Sequence, residues 1–134
     1  MKEEKQLNKE IENLAKKFML LPSDKEIQVI SHHDTDGITS AVIMISTLRK
    51  LDRKFSVKII KSLEKEFIDA LSADKIILFL DLASSSLEQI KNAGLKEVFI
   101  IDHHEIVREI PEGINIVNPE ICGKEKISGS SLTY

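Results

Sequence analysis

The chain has 134 residues, of which 42% are apolar and 31% are charged, and its formal net charge is -3. This length allows one domain with a real core, and the composition excludes a disordered or fibrous protein. The negative charge argues against a strongly basic nucleic-acid-binding surface, while leaving room for a local cationic groove.

From the composition of the first residues we expect no signal peptide. Residues 1–5 lack the apolar core of a signal peptide, and no apolar run reaches the roughly 18 to 20 residues that a membrane span needs. The single cysteine, Cys122, permits no intrachain disulfide, which fits a reducing compartment. We therefore expect a cytoplasmic protein without a membrane partner.

Residues 3 to about 21 have the spacing of an amphipathic helix. Apolar side chains recur every three or four positions, with Lys and Glu between them: Leu7, Ile11, Leu14, Phe18 and Leu21. Pro22 ends this pattern. We expect residues 1–21 to pack as a helix on the sheet of a domain that spans residues 22–134. A coiled-coil partner helix is the alternative, but the pattern is too short for several heptads.

Five apolar runs of strand length follow, at residues 27–31, 55–60, 75–80, 97–101 and 113–117. Residues 38–51 are apolar almost all round and predict a helix buried against a sheet, and residues 64–72 predict a shorter helix. A capping box of Ser85 and Glu88 opens a third helix that Gly94 ends. This alternation predicts an α/β fold with a doubly wound, mainly parallel sheet of order 2-1-3-4-5 and helices on both faces.

Polar side chains that can bind metal follow three of these strands. They are His32, His33, Asp34 and Asp36 after the first strand, Asp81 after the third, and Asp102, His103 and His104 after the fourth. The carboxyl ends of parallel strands meet at one edge of the sheet, where open α/β sheets bind ligands. We therefore expect these residues to lie close together.

Each of these residues also has a structural explanation. Asp34 or Asp36 can cap the following helix, as Asp commonly does, and Asp81 can cap the next one, although Ser85 suits that position better. A lone histidine beside a strand end is more often a hydrogen-bonded loop residue than a ligand. Together, however, four carboxylates and four imidazoles at one edge repel each other without a counter-charge, and a cation removes that conflict.

The donor types indicate which cations suit this edge. Oxygen and imidazole donors without a thiolate favour Mn²⁺ or Mg²⁺, followed by Fe²⁺ or Zn²⁺. The carboxylates are too many for one ion, but they suit two divalent ions about 3.5 to 4 Å apart that Asp81 bridges. Such a pair activates water and stabilises phosphoryl transfer. The sequence therefore predicts hydrolysis of a phosphoester or phosphoanhydride.

Three ordered motifs resemble those of the DHH phosphoesterases. They read His-His-Asp-Thr-Asp-Gly at 32–37, Phe-Leu-Asp-Leu-Ala-Ser-Ser at 79–85 and Ile-Asp-His-His-Glu at 101–105. The first motif, with its Asp-x-Asp-Gly-Ile-Thr-Ser continuation, is most similar to the RecJ-like branch, particularly the archaeal RecJ-like nucleases. The resemblance spans about residues 27–134.

The resemblance implies a metal role for five residues. Asp34 and Asp81 would bind one ion, with His32 near it in place of the aspartate that is common in bacterial RecJ. Asp36, Asp81 and His103 would bind the second ion. The cofactor implied is a pair of divalent ions, Mn²⁺ first and Mg²⁺ as the alternative.

The resemblance also implies two catalytic residues. His104 would face the scissile phosphate, and Asp102 would orient the histidines. His33 occupies a position where the family often has an aromatic or variable residue.

Two departures from the family pattern bear on activity. The family has a further metal-binding aspartate downstream, whereas this sequence has no Asp after Asp102. Residues 128–134 resemble the first turn of the helix that precedes it, and the C-terminal substrate-binding domain is missing. We expect the N-terminal part of a longer or split protein, with reduced or no activity until a C-terminal half joins it in cis or in trans.

Three functions are compatible with these motifs. The first is a metal-dependent exonuclease that acts on single-stranded DNA or RNA. The second is a phosphoesterase for a small substrate, such as an oligoribonucleotide, a cyclic dinucleotide, 3′-phosphoadenosine phosphate or polyphosphate. The third is a non-catalytic replication scaffold that binds the GINS complex.

Overall fold

Five parallel strands form one sheet in the computed structural model, which describes residues 2–106, 109–119 and 133. The strands are β1 (Ile27–His32), β2 (Phe55–Ile60), β3 (Ile76–Leu80), β4 (Glu97–Ile101) and β5 (Ile114–Val117). The helices are α1 (Lys2–Met19), α2 (Thr35–Lys50), α3 (Lys65–Asp69) and α4 (Leu87–Asn92). The order is β2-β1-β3-β4-β5, which confirms the predicted topology.

The centre of the sheet is covered on both faces. Strand β3 pairs with β1 and β4, and all five of its residues are buried. Its side chains alternate between two cores, because successive residues of a strand point to opposite faces. Leu78 and Leu80 belong to the core beneath α1 and α2, whereas Ile77 and Phe79 belong to the core beneath α3 and α4. The helices thus lie on both faces, as predicted.

Helix α1 packs on the first of these cores. Its Leu7 is 3% exposed, and the ring of Phe18 contacts that of Phe99 edge to face, with centroids 5.3 Å apart. The amphipathic pattern therefore marks a helix that covers the sheet. It ends at Met19, two residues before the predicted limit, and the domain boundary at residue 21 stays a prediction.

Helix α2 differs from its prediction in its first residue. It begins at Thr35 because the Asp34 side chain caps it. The helix packs against the sheet as predicted, but its other face is open to solvent, since Ile38 is 48% and Val42 is 56% exposed. The buried face includes Ser40 and Ala41, small residues that bring the helix close to the sheet.

The other two helices are shorter than the sequence pattern indicates. Helix α3 covers only Lys65–Asp69. The capping box of Ser85 and Glu88 was wrong: the residue before α4 is Ser86, and its side chain makes no capping bond. The Ser86 amide donates to the Ala83 carbonyl at 2.9 Å, so a turn occupies the chain where the helix was expected to start.

Two features of the sequence lie outside the residues that the structure describes. Cys122 and residues 128–134, apart from Thr133, are beyond the described ranges. No helix among residues 2–106, 109–119 and 133 has both the length and the apolar character needed to cross a membrane.

Candidate metal centre

The polar residues predicted to converge do meet at the carboxyl edge of the sheet. His32 is the last residue of β1, Asp34 and Asp36 open α2, Asp81 follows β3, and His103 lies two residues beyond β4. Because the three strands are adjacent and parallel, their ends bring these side chains together. Two groups of donor atoms result, and Asp81 belongs to both.

The first group joins the ends of β1 and β3. The Nδ1 atom of His32 lies 3.0 Å from Oδ2 of Asp34 and 3.8 Å from Oδ2 of Asp81. The donor atoms of these three residues all lie within 4.8 Å of one another. This spacing allows one cation to contact all three.

The second group joins α2, β3 and the loop after β4. The Nε2 atom of His103 lies 2.7 Å from Oδ1 of Asp81 and 3.3 Å from Oδ2 of Asp36. The Asp81 carboxylate therefore directs one oxygen to each group. A carboxylate placed in this way can bridge two ions.

Asp34 has a structural role as well as a place in the first group. Its Oδ1 accepts from the Gly37 amide at 2.7 Å, so the capping explanation holds, and this bond is the main cause that lowers its pKa. Its Oδ2 remains directed to His32. A Cβ at Gly37 would lie 2.1 Å from the His32 carbonyl oxygen, so this turn requires glycine.

The ring of His32 is oriented so that Nδ1 faces the acids. Its Nε2 lies 3.1 Å from the Lys61 carbonyl oxygen, which can only accept, and so Nε2 carries the proton. Nδ1 of His32 and Oδ2 of Asp81 are both buried, and neither makes a hydrogen bond within the part of the chain that the structure describes. A buried ring nitrogen and a buried carboxylate oxygen that face each other in this way suit a cation.

Asp81 is buried next to other carboxylates at this edge of the sheet, and their proximity disfavours its negative charge. It is 1% exposed, and burial, followed by the neighbouring carboxylates of Asp36 and Asp34, raises its pKa to about 8. Its backbone has a φ of 59°, in the left-handed region that Asp tolerates better than most residues. Without a cation, Asp81 therefore resists ionisation near neutral pH.

Asp102 is fully buried, and both of its oxygens accept hydrogen bonds. Oδ2 accepts from the Ser84 amide at 3.1 Å, and Oδ1 accepts from the His103 amide at 2.8 Å. The Nδ1 of His104 lies 2.6 Å from the same Oδ1, so it carries the proton and leaves Nε2 of His104 for the adjacent cleft. Asp102 thus orients His104, and its donor atom also lies within 4.8 Å of donor atoms of Asp81, His103 and His104.

Sequence reasoning missed Asn118 and gave Ser84 no role of its own. Asn118 is 1% exposed and follows β5, and it donates to Ser84 and to the His104 carbonyl. Its only sequence cue is an Asn-Pro pair at a strand end. Ala83, beside Ser84, has a φ of 91°, which favours glycine over alanine. His33 is exposed, and its ring contacts that of His32, with centroids 4.6 Å apart.

A cleft of about 310 Å³ opens beside these residues. Its lining includes His32, Asp81 and His104 from the candidate metal centre, and Lys61 and Ser62, which follow β2. The cleft therefore combines imidazoles and acids with one cation. This combination can accommodate a phosphate group next to bound metal.

The fold and this edge together define a doubly wound α/β domain with a candidate divalent-metal centre at the carboxyl ends of its strands. Residues 26–134 match the family described as "DHH family, N-terminal domain". The chain belongs to the DHH family, and the resemblance of its three motifs is confirmed.

Known relatives and structures support the same fold. An uncharacterised protein of Methanocaldococcus jannaschii is 32% identical over 139 residues, which cover 94% of this chain and 32% of the relative. A crystal structure of exonuclease RecJ bound to manganese matches with a TM-score of 0.74 at 23% identity, covering 95% of this chain and 35% of that one. RecJ of Thermus thermophilus in complex with Mn²⁺ matches with a TM-score of 0.70 at 24% identity, covering 96% and 19% respectively. The chain thus spans about a third of these proteins or less.

Proposed function

We propose that the chain is the metal-binding part of a phosphodiester hydrolase that degrades single-stranded DNA or RNA as an exonuclease. The observation that carries this proposal is the position of Asp81, whose two oxygens face two separate donor groups. The likeness of the fold to manganese-bound RecJ exonucleases supports it. Because the chain spans a third of its relatives or less, we propose that a C-terminal half, in cis or in trans, completes the substrate site.

The donor groups suit two divalent ions, Mn²⁺ first and Mg²⁺ as the alternative. His32, Asp34 and Asp81 would hold one ion, and Asp36, Asp81 and His103 would hold the other. When bound, such a pair supplies water of lowered pKa and neutralises charge on the phosphoryl oxygens. Nδ1 of His32 and Oδ2 of Asp81, which are both buried, would then contact the ion.

His104 and Asp102 would act on the phosphate itself. Asp102 holds the proton of His104 on Nδ1, and half of the His104 side chain is exposed at the cleft. In this orientation Nε2 of the neutral His104 ring can accept a proton. When the ring is charged, Nε2 can donate to a phosphoryl oxygen or deliver its proton to the leaving oxygen. Asp102 keeps the ring in place during either step.

The test is degradation of end-labelled single-stranded DNA and RNA by the protein at its full natural length, in Mn²⁺ and in Mg²⁺. We expect mononucleotides to be released from one end, and Asp36→Asn to lose this activity. Turnover of small phosphoesters without oligonucleotide degradation would instead support the small-substrate alternative. Binding of the GINS complex without any metal-dependent turnover would support the scaffold alternative.

Lys61 is expected to contribute to phosphate binding, because it is the cation that lines the cleft. We predict that Lys61→Ala raises KM for oligonucleotides about 10-fold, with a smaller effect on kcat, since a cation near a phosphate contributes on the order of 1 to 2 kcal/mol. The backbone carbonyl that contacts His32 stays in place in this variant. Steady-state kinetics at two salt concentrations measure the effect.

Lys75→Ala is the matched control. Lys75 precedes β3 at the opposite edge of the sheet and pairs with Glu26 at 2.6 Å. We expect its KM to stay at the wild-type value. Equal KM values for the two variants would contradict a role of Lys61 in substrate binding.

A further inference from the structure

A closed ring of hydrogen bonds connects the ends of three strands behind His104. The Ser84 amide donates to Oδ2 of Asp102 at 3.1 Å, and Oδ1 of Asp102 accepts from Nδ1 of His104 at 2.6 Å. Nδ2 of Asn118 closes the ring, since it donates to the His104 carbonyl at 2.8 Å and to Oγ of Ser84 at 3.0 Å. The ring therefore joins the loop after β3, the loop after β4 and the end of β5.

Asn118 is the member of this ring that depends on its amide chemistry. A backbone carbonyl can only accept, so the atom next to the His104 oxygen must be the nitrogen of the amide. That nitrogen has two hydrogens, and each of the two loops receives one. Neither a carboxylate nor an apolar side chain of the same size can make both bonds.

Burial makes these bonds consequential. Asn118, Ser84 and Asp102 are 1%, 3% and 0% exposed. Water cannot readily replace a lost partner at such positions, so loss of the amide leaves the buried Ser84 hydroxyl without this donor. The loops would then relax away from each other, and the His104 ring would move with its backbone.

We propose that Asn118 is a positioning residue for the hydrolase: it fixes the His104 backbone, and through it the direction in which Nε2 of His104 enters the cleft. This inference rests on the proposed function for its kinetic consequence, but not for its structural one. The two hydrogen bonds of Asn118 described above run to Ser84 and to the His104 carbonyl. Its effect should therefore fall on the reaction step and not on the affinity for metal.

The kinetic test compares Asn118→Ala with the wild-type protein at full natural length. We expect kcat to fall about 10- to 100-fold, as displacement of a reacting group commonly produces, with KM and Mn²⁺ affinity within about 2-fold of the wild-type values. Asn118→Asp, which keeps the volume but removes both donors, should show the same loss. A wild-type kcat in Asn118→Asp, or a fall in Mn²⁺ affinity as large as the fall in kcat, would overturn the proposal.

Asn115→Ala is the matched control. Asn115 lies on β5 three residues earlier, and its Nδ2 donates to the Val98 carbonyl at 3.1 Å, away from the ring. This variant loses an asparagine amide bond close to Asn118 in the chain, together with the exposed bond from Lys17 to Oδ1 at 3.4 Å. We expect its kcat to match that of the wild type after correction for the fraction folded.

A spectroscopic test separates this proposal from the proposed hydrolase activity. The His104 Nδ1–H proton, bound to buried Asp102, should give a slowly exchanging NMR signal in the metal-free wild type and in Asn115→Ala. We expect Asn118→Ala to broaden or lose that signal. Ser84→Ala keeps the amide bond to Asp102, so it should change the signal less. If Asn118→Ala does not fold, Ser84→Ala is the variant whose signal is measured instead. An unchanged signal in both ring variants would overturn the positioning role, even if the protein hydrolysed no phosphoester.

Discussion

Asp81→Asn is expected to reduce kcat/KM on the order of 1000-fold or more, because Asp81 directs one oxygen to each donor group. A neutral amide in its place weakens both sites at once, because each donor group loses the negative charge of the carboxylate that the two groups share. Calorimetric titration with Mn²⁺ should show the loss of at least one binding event. Kinetics on a single-stranded oligonucleotide measure the loss of activity.

Asp69→Asn is the matched control for this variant. Asp69 is an exposed carboxylate on α3 that pairs with Lys65 at 2.6 Å. It should keep the wild-type activity and the wild-type number of bound ions. If Asp81→Asn retained both Mn²⁺ binding events and more than a tenth of the activity, the bridging role of Asp81 would be wrong.

The second large effect is a loss of stability of the metal-free chain as pH rises. The folded-state pKa of Asp81 is about 8, above the ordinary carboxyl value of 3.8, so the folded state binds this proton more tightly than the unfolded state. The stabilisation is fully present below a pH of about 4 and is lost as pH rises through about 8. Thermal unfolding in EDTA should therefore show a melting temperature that falls across this interval.

Mn²⁺ should reverse this loss at pH 8, because a cation takes over the role of the proton between the carboxylates. At a concentration of 100 to 1000 times its dissociation constant, the ion stabilises the folded state by about 3 to 4 kcal/mol. Asp81→Asn should weaken both the pH dependence and the response to Mn²⁺. A melting temperature in EDTA that rose from pH 5 to pH 8 would contradict the charge conflict at this edge.

Much of the fold was predictable because its signals are local and repeated. Strand-length apolar runs alternate with helical patterns, and a parallel sheet follows from that alternation. The convergence of Asp34, Asp36, Asp81 and His103 needed only one further step, since adjacent parallel strands end at the same edge. The distances at the candidate centre agree with that expectation.

The features that were not predictable depend on tertiary structure, because it determines which of several similar residues makes a given contact. Ser85 has the spacing of a helix cap, yet a turn formed by the neighbouring backbone places Ser86 there. Asp34 was considered either as a cap or as a ligand, but its two oxygens allow both roles. Asn118 is far from the three motifs in sequence and meets them only after the sheet forms.

The φ of 91° at Ala83 has a consequence for efforts to engineer this protein. Glycine at this position would release backbone strain and favour the folded state in isolation. The same freedom would let the Ser84 amide, which donates to the buried Asp102 carboxylate, move away from that carboxylate. At this position, a gain in the stability of the loop would therefore be accompanied by a less accurate position of the amide that binds the carboxylate.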